Sequence, residues 1–213
     1  MKKSLFAFVM FMTFALTACG GSDTKDTAAK ETSIKETVVE TQEETVVETK
    51  VEETGEIVDN ADMLKVPVYT RKELNLTGES GPITYCIEGL QVSKLTFKSE
   101  STASLVGIEA GKEITCIAFN LSAENTSEDT INFYLGQATL VSNTKEQVDP
   151  DMFLSDYIEG EYLGQVIHSG TSIYLLENSN ADDITNVKLH ISAPSDSSFQ
   201  DIGEDIVVDI NLE

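Results

Sequence analysis

The feature that most constrains this chain is strict alternation. From Thr115 to Ala123, Ile117, Phe119, Leu121 and Ala123 share one parity and Cys116, Ala118, Asn120 and Ser122 the other. A period of two places successive side chains on opposite faces of a pleated strand, and an apolar face backed by a mixed one describes a half-buried antiparallel strand. The period recurs in Val187, Leu189 and Ile191 against Lys188, His190 and Ser192. It recurs again in Ile206, Val208, Ile210 and Leu212 against Asp209 and Asn211. Short apolar runs of this kind, separated by clusters of Gly, Asn, Asp and Ser, predict an all-β fold, an antiparallel two-sheet sandwich.

Further strands are expected at 131–135, 138–142, 162–168 and 171–177, with loops at 98–112, 124–130, 142–160 and 178–186. The stretch Asn125 to Asp129 has turn chemistry, and the strand at 131–135 is expected to return beside the one before it. Between Ile83 and Phe97 the parity breaks twice, since Tyr85 and Ile87 are odd, Leu90 and Val92 even, Leu95 and Phe97 odd again. Bulges would restore the phase, the first at Gly89. Val66 and Val68 flank Pro67, which fits an edge strand because proline has no N–H to give a ladder.

Ahead of this domain, taken as residues 66–213, composition changes. Residues 19–65 are dominated by Thr, Glu, Lys and Val, and from Gly20 to Asp62 there is no aromatic residue and no proline. ETVVET occurs twice, at 36–41 and 44–49. Such a segment cannot bury enough apolar surface to offset the entropy of ordering, so a disordered acidic tether is expected, reaching about 40 Å for ~50 residues.

Residues 1–18 have the form of an export signal: Lys2 and Lys3, an apolar run from Leu5 to Ala18, and small residues before a cysteine. The run is shorter than the roughly 20 residues needed to span a bilayer. Leu16-Thr17-Ala18-Cys19 resembles the lipobox of bacterial lipoproteins. The resemblance implies cleavage before Cys19, lipid on Cys19 and attachment to the extracytoplasmic face of the cell membrane, with a Gram-positive surface as the preferred setting.

The 14 Lys plus Arg stand against 37 Asp plus Glu, a formal charge of −23, which becomes −25 once Lys2 and Lys3 leave with the signal. That excludes nucleic acid as an expected partner, because binding it rests on cations that displace counterions from phosphates. With Cys19 lipidated, Cys86 and Cys116 remain, as a disulfide or as two buried thiols.

From residue 83 to 213 the order Gly111-Lys112, strand, Glu124-Asn125-Thr126-Ser127, strand, then Gly170 opening Thr171 to Glu177, resembles the telokin-like, immunoglobulin-fold domain of unknown function found in Gram-positive lipoproteins. Ser142-Asn143-Thr144-Lys145 departs from that family's Gly-Lys turn. The resemblance implies an immunoglobulin-like sandwich and carries no catalytic motif.

The chain lacks H-E-x-x-H, G-x-S-x-G, P-loop and C-x-x-C patterns, and its two histidines, His168 and His190, cannot make a histidine-rich metal site. Ser142 to Lys145 spells S-x-x-K, but inside a β pattern rather than at a helix start. Glu177 to Asp183 crowds hard oxygens without the glycine and closing glutamate of a calcium loop. No cofactor, metal or catalytic residue is expected, and the reading is a non-enzymatic binding module for an envelope or extracellular protein or a small ligand. A hydrolase built from scattered carboxylates, or a spacer without a ligand, are the alternatives. The expected contact segment is Met152, Phe153, Leu154, Tyr157 and Ile158, too apolar for a plain loop, with a short helix plugging one end of the core as the other reading.

Overall fold

The computed structural model describes residues 55–212. Its first strands are β1 (Val58–Asp59), β2 (Met63–Arg71), β3 (Leu76–Ser80) and β4 (Ile83–Phe97), followed by helix α1 (Glu100–Leu105) and β5 (Glu113–Asn125). Then come β6 (Thr130–Asn132), β7 (Thr139–Ser142), β8 (Gln147–Val148), β9 (Glu161–Leu163) and β10 (Ile167–Leu176). Strands β11 (Asn186–Ile191), β12 (Ser195–Asp196) and β13 (Ile206–Asn211) complete the order.

A large antiparallel sheet runs β1-β2-β4-β5-β10, with β3 following β2 along the same side of β4; the others form β13-β11-β7-β8 and β12-β6-β9. This is an all-β, sandwich-like fold. Ile87, Val92, Phe119 and Leu121 from the large sheet meet Leu140, Val187, Leu189 and Ile210 in one core, where Phe119 and Tyr174 pack edge to face at 5.9 Å.

The alternating runs take the faces their parity assigns. In β5 the odd residues from Ile117 to Ala123 are buried in the main core, and β4 slips register between Ile87 and Gly89, the bulge expected at Gly89. The second break in parity has a different cause. No register shift separates Leu90 from Thr96; instead Leu95 and Phe97 point to the outer face and join Ile114 and Cys116 in a second buried cluster. Two apolar faces of one strand are stable here because each has its own cover, the second sheet inside and α1, with its buried Ala103, outside.

Four further expectations are corrected. The stretch 98–112 holds α1 rather than a loop only. Strand β6 does not return beside β5 but pairs with β9 and β12, so Asn125 marks a crossing between sheets. Buried Asn125 fixes that corner: its Nδ2 donates to the Asp129 and Gly164 carbonyls (2.8 and 3.0 Å) and its Oδ1 accepts from Ser127 N and Oγ (both 2.9 Å). β10 runs unbroken through Gly170. Finally, part of the stretch 19–65 expected as a disordered tether is paired: Val58 and Asp59 pair with Lys65 and Leu64. That pairing stops short of Pro67, which leaves the proline on an edge as its chemistry requires.

Candidate functional site

The expected contact segment follows β8 and lies against β10, the last strand of the large sheet, which has β5 on one side only. An unpaired edge is a template for aggregation unless covered, and residues 151–156 cover it. The Asp151 N–H donates to the Ile173 carbonyl (2.7 Å) and the Asp156 N–H to the Thr171 carbonyl (2.8 Å). In return the Thr171 N–H donates to Asp156 Oδ2 (2.9 Å) and the Ile173 N–H to Ser155 Oγ (2.9 Å). Asp151 also accepts from the Phe153 and Leu154 N–H groups (both 2.9 Å), which closes a turn. The segment is thus a pinned irregular strip, and no helix plugs the core here.

Its five apolar residues divide. Leu154 packs into the outer cluster and Ile158 into the main core. Ile158 fits because Gly136 and Gly170 leave room: a β-carbon on either would stand 2.9 Å from an Ile158 side-chain atom. Met152, Phe153 and Tyr157 are left outside, at 81, 67 and 84 % exposure, and Leu105 of α1 adds another apolar side chain at 62 %. Two clefts flank the strip. One, of about 560 Å³, is bordered by Gln137, Asp149, Asp156 and Tyr157; the other, of about 430 Å³, by Leu105, Ile108, Phe153 and Leu175; Met152 borders both.

The strip's far end is set by Glu159. Its carboxylate accepts from Gly160 N–H (2.8 Å), Glu161 N–H (3.2 Å) and the Tyr157 hydroxyl (3.1 Å). These bonds, the Glu161 N–H foremost, hold its pKa below the usual carboxylate range and raise that of Tyr157. His168 Nδ1 lies 2.8 Å from the Glu159 carbonyl, and its ring stacks on Tyr162 at 4.4 Å. Burial pushes the Tyr162 hydroxyl up to about 12, and no hydrogen-bond partner reaches it.

Other sites singled out in the sequence are not brought together. Cys86 and Cys116 are free thiols. Cys86 faces Ser122 and Cys116 faces Ser93, so six residues of β5, about 20 Å, separate the two positions on one face, against the roughly 7 Å a disulfide tolerates. His190 is exposed on β11. Ser142 is buried at the end of β7, where its hydroxyl meets Thr144 Oγ1 at 2.5 Å, and Lys145 takes a left-handed φ of 69° in the hairpin turn. The Glu177–Asp183 stretch spends its groups internally: Ser179 Oγ donates to Glu146 Oε2 (2.6 Å), Asn180 caps a 3₁₀ turn, and Asp182 pairs with Lys94. Among the described residues no three His, Cys, Asp or Glu side chains converge as metal ligands. Cys19 lies outside the described residues, as do the stretches expected as signal and, up to residue 54, as tether.

Leu105 was missed by sequence reasoning; its one signal is that it sits among Ala103, Val106 and Ile108, apolar residues within a stretch read as a loop. A further open cleft, about 650 Å³, lies on the large sheet beside β3 among Thr77, Glu79, Tyr85, Cys86, Glu124 and Ile167.

The described residues therefore define an antiparallel β sandwich that displays apolar side chains on a pinned edge strip. No family model matches the chain. Over 165 residues, 76 % of this chain and 73 % of the relative, it is 27 % identical to the uncharacterized lipoprotein YonS of Bacillus subtilis (strain 168), which derives from the SPbeta prophage. The crystal structure of a functionally unknown protein from Listeria monocytogenes EGD-e superposes with a TM-score of 0.55 at 14 % identity, over 70 % of this chain and 88 % of that one. That likeness concerns the fold alone. A putative lipoprotein of Bacillus subtilis, ycdA, reaches a TM-score of 0.43 at 16 % identity, over 66 % of this chain and 39 % of that one.

Proposed function

We propose that this protein is a lipid-anchored, extracytoplasmic interaction module that does not catalyse, and that its contact surface is the strip carrying Met152, Phe153 and Tyr157. The observation that carries the reading is the contrast between fixed backbone and free side chains. Six hydrogen bonds, two of them to β10 carbonyls, two from β10 N–H groups and two that close the Asp151 turn, hold residues 151–156 in place while three large apolar groups stand in water. Clusters of exposed apolar side chains mark interaction sites in soluble domains, and rigid presentation reduces the entropy lost on binding.

The carboxylates nearby support binding rather than acid/base work, because each already holds structure: Asp149 accepts from Thr139 Oγ1 (2.7 Å), Asp151 from its turn and Asp156 from Thr171. Similarity to a protein named as a lipoprotein supports an anchor, and Cys19 is the residue proposed to carry it. Two or more acyl chains, at ~0.8 kcal/mol per buried CH₂, hold a protein stably. A disordered tether would then carry the domain away from the membrane of a Gram-positive cell, toward an envelope or extracellular protein.

A photoactivatable amino acid placed at position 153 in intact cells tests this. The expected result is one discrete envelope or extracellular polypeptide in the adduct, absent when the same group replaces exposed Val207 on β13. Identical adducts from both positions, or none from 153, would contradict it.

A further inference from the structure

The strip that displays Met152, Phe153 and Tyr157 is charged with one sign. Asp149 and Asp151 border both clefts beside it, Asp156 the one of about 560 Å³ and Glu177 the one of about 430 Å³. Among the described residues no Lys or Arg lines either cleft. Lys112 neutralises Glu177 (2.6 Å). The three aspartates are held by neutral donors instead: Asp149 Oδ1 accepts from Thr139 Oγ1, Asp151 Oδ1 from two backbone N–H groups and Asp156 Oδ2 from the Thr171 N–H. Those bonds engage one oxygen of each carboxylate and fix it without cancelling its charge. Asp149 and Asp156 are exposed, and exposed Glu159, bonded to the Tyr157 hydroxyl, adds a fourth carboxylate.

The two clefts differ in what they can hold. The first sets Asp149 and Asp156 beside the exposed Tyr157 ring, and a guanidinium or ammonium can pair with carboxylates and lie on an aromatic face. The second is walled by Leu105, Ile108, Phe153 and Leu175, a setting for an apolar side chain. Met152 borders both, so an occupant that uses the two together must cross it. A polypeptide crosses it when a cation and an apolar side chain stand close together along its length. An anionic bilayer, the other surface that buries exposed apolar side chains, would be repelled by these carboxylates.

We propose that the partner of this strip is a basic polypeptide segment in which Lys or Arg stands within a few residues of an apolar side chain. Asp149 and Asp156 hold the cation, and the wall of Leu105, Phe153 and Leu175 holds the apolar group. The inference rests on the reading of the strip as a contact surface and adds the chemistry of what it contacts. The field of a chain of charge −23 speeds the approach of such a segment, and burial of its apolar side chain slows its departure.

A photoactivatable amino acid at position 153 of the full-length protein, in nanodiscs of neutral lipid, tests this with synthetic peptides of one length. One peptide alternates Arg and Leu, a second has Glu for every Arg, and a third has Ser for every Leu. The Arg/Leu peptide should give an adduct several-fold more abundant than either of the others. The adduct should fall several-fold between about 0.1 M salt, where the Debye length is ~10 Å, and about 1 M, where it is ~3 Å. D149N/D156N should lower it similarly; asparagine keeps the accepting oxygens, and unchanged exchange of the Thr171 amide verifies that the strip is intact. Equal adducts from the Arg/Leu and Glu/Leu peptides would overturn the inference and leave the strip a contact surface. An Arg/Leu adduct undiminished in D149N/D156N, or equal from position 207, would be attraction to net charge alone and would overturn it as well. So would adducts with disc lipid only, which would assign the strip to a bilayer, or none with any peptide, in which case the cross-link in cells decides whether the strip has a partner of another chemistry.

Discussion

The two faces of the large sheet are built from the same strands and obey different rules. Inward, β4, β5 and β10 offer alternate residues to a second sheet, and Ile117, Phe119 and Leu121 are buried without interruption. Outward, the face changes character along its length: apolar under α1 at Leu95, Phe97 and Cys116, basic and polar around Lys65 and Gln91, open around Cys86. The difference teaches that a strand's second face is decided by what covers it. In this chain the covers are one short helix, α1, and the irregular strip 151–156, so the outer face is where the fold leaves room for specialised use.

Truncation in the two clusters sets the scale. Phe119→Ala is expected to lower unfolding free energy by about 3 to 5 kcal/mol, read by denaturant titration. Phe97→Ala, equally buried but under α1, should cost about as much if the outer cluster is a true core. A cost within about 1 kcal/mol for Phe97→Ala would reduce the outer cluster to a surface ornament.

The comparison also requires that the chain leaves the large sheet at Asn125. Asn125→Ala would strand the Asp129 and Gly164 carbonyls and two Ser127 donors, for a loss of about 2 to 4 kcal/mol. A nearly neutral substitution would mean that the crossing is held by β6 pairing alone.

The outer cluster has a titration signature of its own. Burial first, partly countered by Lys65 and reinforced by Asp151, pushes the Cys116 thiol from 9.0 to about 11. The folded state then keeps a proton that the unfolded chain releases. The contribution is fully present below pH 9 and is lost as pH rises toward 11, by roughly 2 to 3 kcal/mol across the window. Stability measured between pH 8.5 and 10.5 should fall less steeply in Cys116→Ser. Equal slopes would place Cys116 in contact with water.

What could be read beforehand follows the same division. Period two identified β5, β11 and β13, and the glycine-marked bulge of β4, because those patterns depend on a partner sheet that any sandwich supplies. The second parity break was misread as another bulge, since nothing in Leu95 and Phe97 states that α1 will lie over them. Cys86 and Cys116 left bonded and free states open, and only the register of β4 with β5 shows how far apart they are. The contact segment drew notice through its apolar residues, but their division into Leu154 and Ile158 inside and Met152, Phe153 and Tyr157 outside depends on Gly136 and Gly170, distant in sequence from it.

A smaller effect probes the strip from its inner side. Leu154→Ala, which removes a half-buried side chain from the outer cluster, should cost about 1 to 2 kcal/mol and leave the main core intact. A cost like that of Phe119→Ala would merge the two clusters into one cooperative core.

The central claim is that residues 151–156 are a fixed part of the sheet edge and not a loose loop. Native-state hydrogen exchange of the Asp151, Asp156, Thr171 and Ile173 amides tests it directly. The expected result is protection approaching that of Ile117 and Phe119 in the centre of the sheet. Exchange of these four amides at the rate of exposed turns such as Ser127–Asp129 would contradict the account.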